Sequence, residues 1–184
     1  MKKGEQKYMK TRMESDEVLY AEDLVVSVTH MDVEWLKQKA CLNKRQRIRL
    51  CSHPDLMNKL HEMLIVHRKN VYVPPHKHPR KSESIHIIEG LVDVVLFNDD
   101  GSIFQVLQLG EYGSGRVFYC RMNTSVYHTL LIHSEILVFH ETTNGPFQKG
   151  DTQFAPWSPD ISDAESCKRY LEQLDESVAS YMTK

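Results

Sequence analysis

Between residues 71 and 141 the chain is a succession of short β-prone runs separated by turn residues, and this spacing limits the fold more than any other feature. Val71-Tyr72-Val73 is followed by two prolines, which cannot continue a central ladder. Ile85–Glu89 and Leu91–Phe97 are separated by Gly90, and Ile103–Leu109 returns after Asn98-Asp99-Asp100-Gly101. Asn, Asp and Gly tolerate positive φ, so that tetrapeptide predicts a hairpin tip. Gly110, Gly113 and Gly115 mark a loop, after which Val117–Arg121, Val126–Ile132 and Ile136–Glu141 supply three more strands. Turn signals every eight to twelve residues or so predict a mainly β chain, built as a sandwich or barrel.

The flanks read differently. Lys2, Lys3, Lys7, Lys10 and Arg12 form a basic terminus with few apolar partners, expected to be solvated and frayed. Val18–Val28 predicts a strand, and Asp32 is placed as the N-cap of a short helix presenting Trp35, Leu36 and Ala40. Beyond Pro159, Ser162 or Asp163 caps a C-terminal helix with a stripe of Cys167, Tyr170, Leu171, Leu174, Val178 and Tyr181, expected to pack on the barrel or on a second subunit. The net charge of −2 gives no pull toward nucleic acid or anionic membrane, and the basic run Lys44–Arg49 lacks the interleaved aromatics of a nucleic-acid surface. No apolar run is long enough for a membrane span and no signal peptide is evident, so the expectation is a cytoplasmic protein whose Cys41, Cys51, Cys120 and Cys167 are reduced.

The chemistry lies among the ten histidines. In an extended segment, residues i and i+2 share a face, so His76-Lys77-His78 presents two imidazoles side by side. Glu83 follows at the head of the next strand and Gly90 ends it. His128 sits on a later strand that barrel closure brings opposite the first three. Three imidazoles and one carboxylate suit a single divalent transition metal: Fe, Mn, Ni or Zn. His86, three residues from Glu83, is expected on the opposite strand face in a structural role.

The segment His76-x-His78-x4-Glu83-x6-Gly90 resembles the first cupin motif, with Asn70 where that family has its leading glycine. Asn123–His128 aligns with the second motif and keeps its histidine but not its turn-forming residues. Within cupins the chain resembles the WbuC-type cupin-fold metalloproteins in His78–Ser84, Gly113–Tyr119, His140–Phe147 and Phe154–Pro159. This resemblance implies a cupin-type antiparallel β-barrel (double-stranded β-helix, or jelly roll) over residues 28–160. It leaves an N-terminal extension at 1–27 and a C-terminal helical extension at 161–184. It also implies a role in carbohydrate or surface-polysaccharide (O-antigen) biosynthesis, for which a metal-dependent sugar isomerase or epimerase is the leading reading. A non-haem Fe(II) oxygenase and a non-catalytic metal-dependent binding or regulatory module stay open beside it. His140 and Tyr119 are the candidate proton carriers. Lys81 and Arg121 are the candidate cations for an anionic or sugar-nucleotide ligand. A homodimer is expected, on the apolar faces of the two extensions.

Overall fold

The computed structural model describes residues 8–148 and 150–183; Lys2, Lys3 and Lys7 of the basic terminus lie outside them. The expected cupin-type fold is present. Two sheets face each other across one apolar core, and each carries a helix on its outer face.

The elements in chain order are β1 (Thr11–Ser15), β2 (Val18–Ala21), α1 (His30–Leu42), β3 (Arg47–Cys51), β4 (Leu60–Arg68), β5 (His76–Lys77), β6 (Glu83–Glu89) and β7 (Leu91–Phe97). They continue as β8 (Ile103–Gly110), β9 (Tyr119–Met122), β10 (Tyr127–Ile132), β11 (Ile136–Asn144), β12 (Gln153–Phe154) and α2 (Ala164–Met182). A seven-stranded sheet runs β1-β2-β3-β4-β11-β6-β9, and a five-stranded sheet runs β12-β5-β10-β7-β8. All strand pairs are antiparallel except β2 with β3, which are parallel. That exception follows from connectivity, because α1 is the crossover between them and parallel neighbours need one.

Alternation sorts the side chains. Met63, Ile65, Ile85, Ile87 and Phe139 of the larger sheet meet Val92, Val94, Leu96, Leu130 and Ile132 of the smaller one between the sheets. Leu36 and Ala40 of α1 cover Leu19, Ile48, Leu50, Leu64, Val66 and Val138 on the outside. On the opposite outer face, Leu174 and Val178 of α2 cover Val95, Phe97, Tyr127 and Leu131. The C-terminal stripe therefore packs on the protein's own sheet. Among the described residues of the other extension, the large apolar side chains left exposed are Tyr8, Met13, Leu24 and Val25.

Several expectations need correction. Residues 11–15 form β1, paired with β2 as a hairpin. The predicted strand 18–28 ends at Ala21. Val71–Val73 is not a strand, although Val71 and Tyr72 are buried. The helix N-cap is Thr29, with Asp32 at the third helical position closing a capping box. The Asn98–Gly101 hairpin is as expected, with Gly101 at φ +88°.

Candidate metal centre

The four expected ligands converge. One donor atom from each of His76, His78, Glu83 and His128 lies within 4.8 Å of the others. Bond lengths of about 2.0–2.2 Å place donors roughly 3–4.4 Å apart around one ion, so small side-chain shifts suffice. The smaller sheet supplies two imidazoles, His76 on β5 directly paired to His128 on β10, and His78 follows one residue beyond the end of β5. The larger sheet supplies the carboxylate across the core, from the first residue of β6.

Each imidazole is oriented by a backbone carbonyl. The Nδ1 atoms of His76, His78 and His128 lie 2.8, 2.9 and 3.0 Å from the carbonyl oxygens of Pro74, Asp151 and Val126. Those contacts place the ring proton on Nδ1 and leave Nε2 as a lone pair, the tautomer a metal ligand needs. Glu83 Oε2 lies 3.1 Å from His78 Nε2 and 3.5 Å from His128 Nε2. Glu83 Oε2 and His128 Nε2 are both buried without a hydrogen-bond partner among the described residues. Buried lone pairs that face one another are costly unless a cation sits among them, so the donor set fits a divalent metal.

The charge states agree with this. Burial, then the neighbouring His128, pulls His76 down to about 4, so it is neutral at pH 7. Burial alone would raise Glu83, but the His128 and His78 rings outweigh it and hold the carboxyl below its usual range. Without a cation their Nε2 atoms share protons with Glu83 that a bound metal would replace. Burial, then the Glu83 charge, pushes the Cys120 thiol up to about 11, which keeps it protonated and removes it as a thiolate ligand.

Among the speculative contacts the structure separates near from far. Tyr119, His86, His140 and Leu64 are successive cross-strand partners, and Leu64 packs under α1. His140 and Tyr119 therefore lie on the outer face of the larger sheet, turned away from the ligands, and are not placed to carry protons there. Arg121 pairs with Ser84 on the same outer face and donates to Ser82 Oγ and Asn123 Oδ1. It too is outside the metal cavity. Lys81 is near, but its Nζ is 3.0 Å from Asp151 Oδ2.

Two acidic residues that pattern analysis did not select shape the site. Asp151 is buried, binds both Arg80 and Lys81, and supplies the carbonyl that orients His78. It thereby ties down the loop that delivers Glu83. Glu141 is on the inner face, in register with Ile85 and one step along from the Thr143–Glu83 pair. Burial, then the Glu83 charge, pushes its carboxyl up to about 8. Strand alternation would have found it, had the register of β11 been known.

A family model described as "Domain of unknown function (DUF6016)" matches residues 28–109, under half of the chain. No curated protein matches. Solved structures similar to the chain include the oxalate decarboxylase of Lactobacillus farciminis in a formate complex, at 14% identity and TM-score 0.42, covering 53% of this chain and 27% of that one. A Shewanella oneidensis protein aligns at 10% identity and TM-score 0.46, over 56% of this chain and 65% of its own. The capsular polysaccharide assembling protein CapF of Staphylococcus aureus aligns at 13% identity and TM-score 0.44, over 53% and 27%. In each case the match spans less than two thirds of the other chain.

Proposed function

We propose that this cupin-fold metalloprotein is a metal-dependent enzyme that moves a proton on a small carbohydrate, as a sugar isomerase or epimerase. One observation carries the reading: a carboxyl that faces inward beside the three-histidine, one-glutamate cluster and has no ion-pair partner among the described residues, Glu141. When bound, a divalent ion supplies Lewis acidity that polarises a substrate oxygen. Glu141, in its ionised form, is the group that takes the proton from the carbon beside that carbonyl and returns it to the neighbouring carbon, while the hydroxyl proton passes between the two substrate oxygens. Asp151 keeps Lys81 and Arg80 neutralised and the His78 ring fixed while this happens. The carbohydrate class rests on the resemblance of residues 28–160 to WbuC-type proteins.

The test combines elemental analysis with deuterium wash-in from D₂O into a panel of aldoses, ketoses and their phosphates, followed by NMR. Wild type should hold about one metal per chain and exchange a substrate C–H. Glu141→Gln should keep the metal and lose exchange at least 100-fold, roughly the lower end for a general base, while His140→Ala exchanges normally. Undiminished exchange in Glu141→Gln, or a protein without metal, overturns the reading. Bound iron with O₂ consumption and no exchange would point to the oxygenase instead.

A further inference from the structure

A cavity of about 550 Å³ runs along the inner face of the larger sheet and reaches the metal centre at His78, the one member of the cluster that lines it; its size is within the range of small-molecule sites. His78, Lys81 and Glu141 line it at one end, and Tyr20, Arg49 and Cys51 at the other. The strand register explains how these meet. Ile85, Glu141, Met63, Cys51, Tyr20 and Arg12 are successive cross-strand partners, a single inward row from β6 to the sheet edge. The far wall is thus built by β1 and β2, which precede the segment matched by the family model.

The charges along this cavity are mostly cancelled. Arg12 is held by Glu14 at 2.7 Å and lies over the Tyr20 ring. Lys81 is held by Asp151. Asp55 keeps its negative charge, accepting, among the described residues, only from the backbone N–H of Met57 as it caps its own turn. His53 and His61 stack with centroids 4.1 Å apart, and burial pulls both below the usual histidine range, so they add no charge at neutral pH. Arg49 differs. It alternates with Cys51 on the inner face of β3, and no carboxylate pairs with its side chain among the described residues. The nearby acid that could, Glu17, is occupied by Arg45 at 3.3 Å and Arg47 at 2.7 Å. Burial raises the carboxyl of Glu141, the thiol of Cys51 and the phenol of Tyr20, and the nearby Arg49 charge opposes that rise at each of them.

We infer that Arg49 is the subsite for an anionic group, phosphoryl or carboxylate, at the far end of a sugar-sized ligand whose other end reaches the metal centre. Three strand spacings separate β6 from β3, roughly 14 Å, so a ligand touching both ends is elongated and a bare anion is not enough. A guanidinium offers two parallel donors to either anion. This deepens the enzyme reading and rests on it for the sugar body, but not for the anion.

Isothermal titration of the full-length, metal-loaded protein tests it with glucose 6-phosphate, glucuronate, glucose and inorganic phosphate. One or both anionic sugars should bind at least tenfold more tightly than glucose or phosphate alone, and which one does so distinguishes phosphoryl from carboxylate. Arg49→Gln should weaken that binding at least tenfold with metal content and melting temperature unchanged. Arg121→Gln, on the outer face, should bind within twofold of wild type. Equal binding by wild type and Arg49→Gln, or no binding of either anionic sugar, overturns the proposal. Arg49-dependent binding to a protein that proves metal-free would leave the anion subsite standing and remove the metalloenzyme reading.

Discussion

Asp93 is a carboxylate only 2% exposed, on the outward face of β7, and His133 Nε2 sits 2.9 Å from it. That contact raises the histidine above its usual value of about 6.5. A pKa raised on folding gives stability that is complete below the unfolded value and is lost as pH rises through the folded one. The stability difference between wild type and His133→Gln should therefore be larger at pH 5.5 than at pH 8.5 in urea titrations. A difference that grows with pH would refute the pairing. Metal content should not change, because His133 is no part of the cluster. At this scale the ligand set was legible because an i, i+2 histidine pair has one geometric meaning on extended backbone. The proposed proton carrier was not, because His140 and Glu141 differ only in which face of β11 they occupy. Asn70 stands where the cupin motif has glycine, and its φ of +69° is one that asparagine tolerates, so the turn before His76 survives the exchange.

The chain crosses from β6 in the larger sheet to β7 in the smaller one at Gly90, whose φ is +95°. A Cβ there would sit 2.4 Å from the Ile136 carbonyl oxygen, which also accepts from Ser134 Oγ. Gly90→Ala should cost at least ~2 kcal/mol, since both the backbone region and the contact oppose it; chemical denaturation measures this, and a cost under about 0.5 kcal/mol would contradict the geometry. Elements bounded by such turns were readable. β4 was not, although it is central to its sheet. Met63, Ile65 and His67 face the inter-sheet side while Leu64 and Val66 lie beneath α1, so its sequence shows a continuous apolar run and no alternation. β1 was missed for the opposite reason: four of its five residues are exposed, and pairing to β2 alone makes it a strand.

The whole molecule is four layers, helix on sheet on sheet on helix, with the metal ligands drawn from the two middle layers. Among the described residues, no helix is long and apolar enough to cross a membrane. Removing residues 1–22 would delete β1 and β2 and turn β3 into an unpaired edge. The truncated protein should self-associate in light scattering yet keep the metal content of the full chain, because β5, β6 and β10 are untouched. Loss of the metal would mean that the extension supports the centre itself. The layering also divides the two tryptophans. Trp35 is carried by α1 and packs against the apolar layer beneath that helix, stacked on Tyr8 with Lys39 over its ring. Trp157 lies in the layer under α2, against Phe97 and Tyr127, with its indole N–H on the Asp99 carbonyl. The protein thus carries one intrinsic fluorophore per outer layer, and single-tryptophan variants would let emission report the detachment of each helix separately.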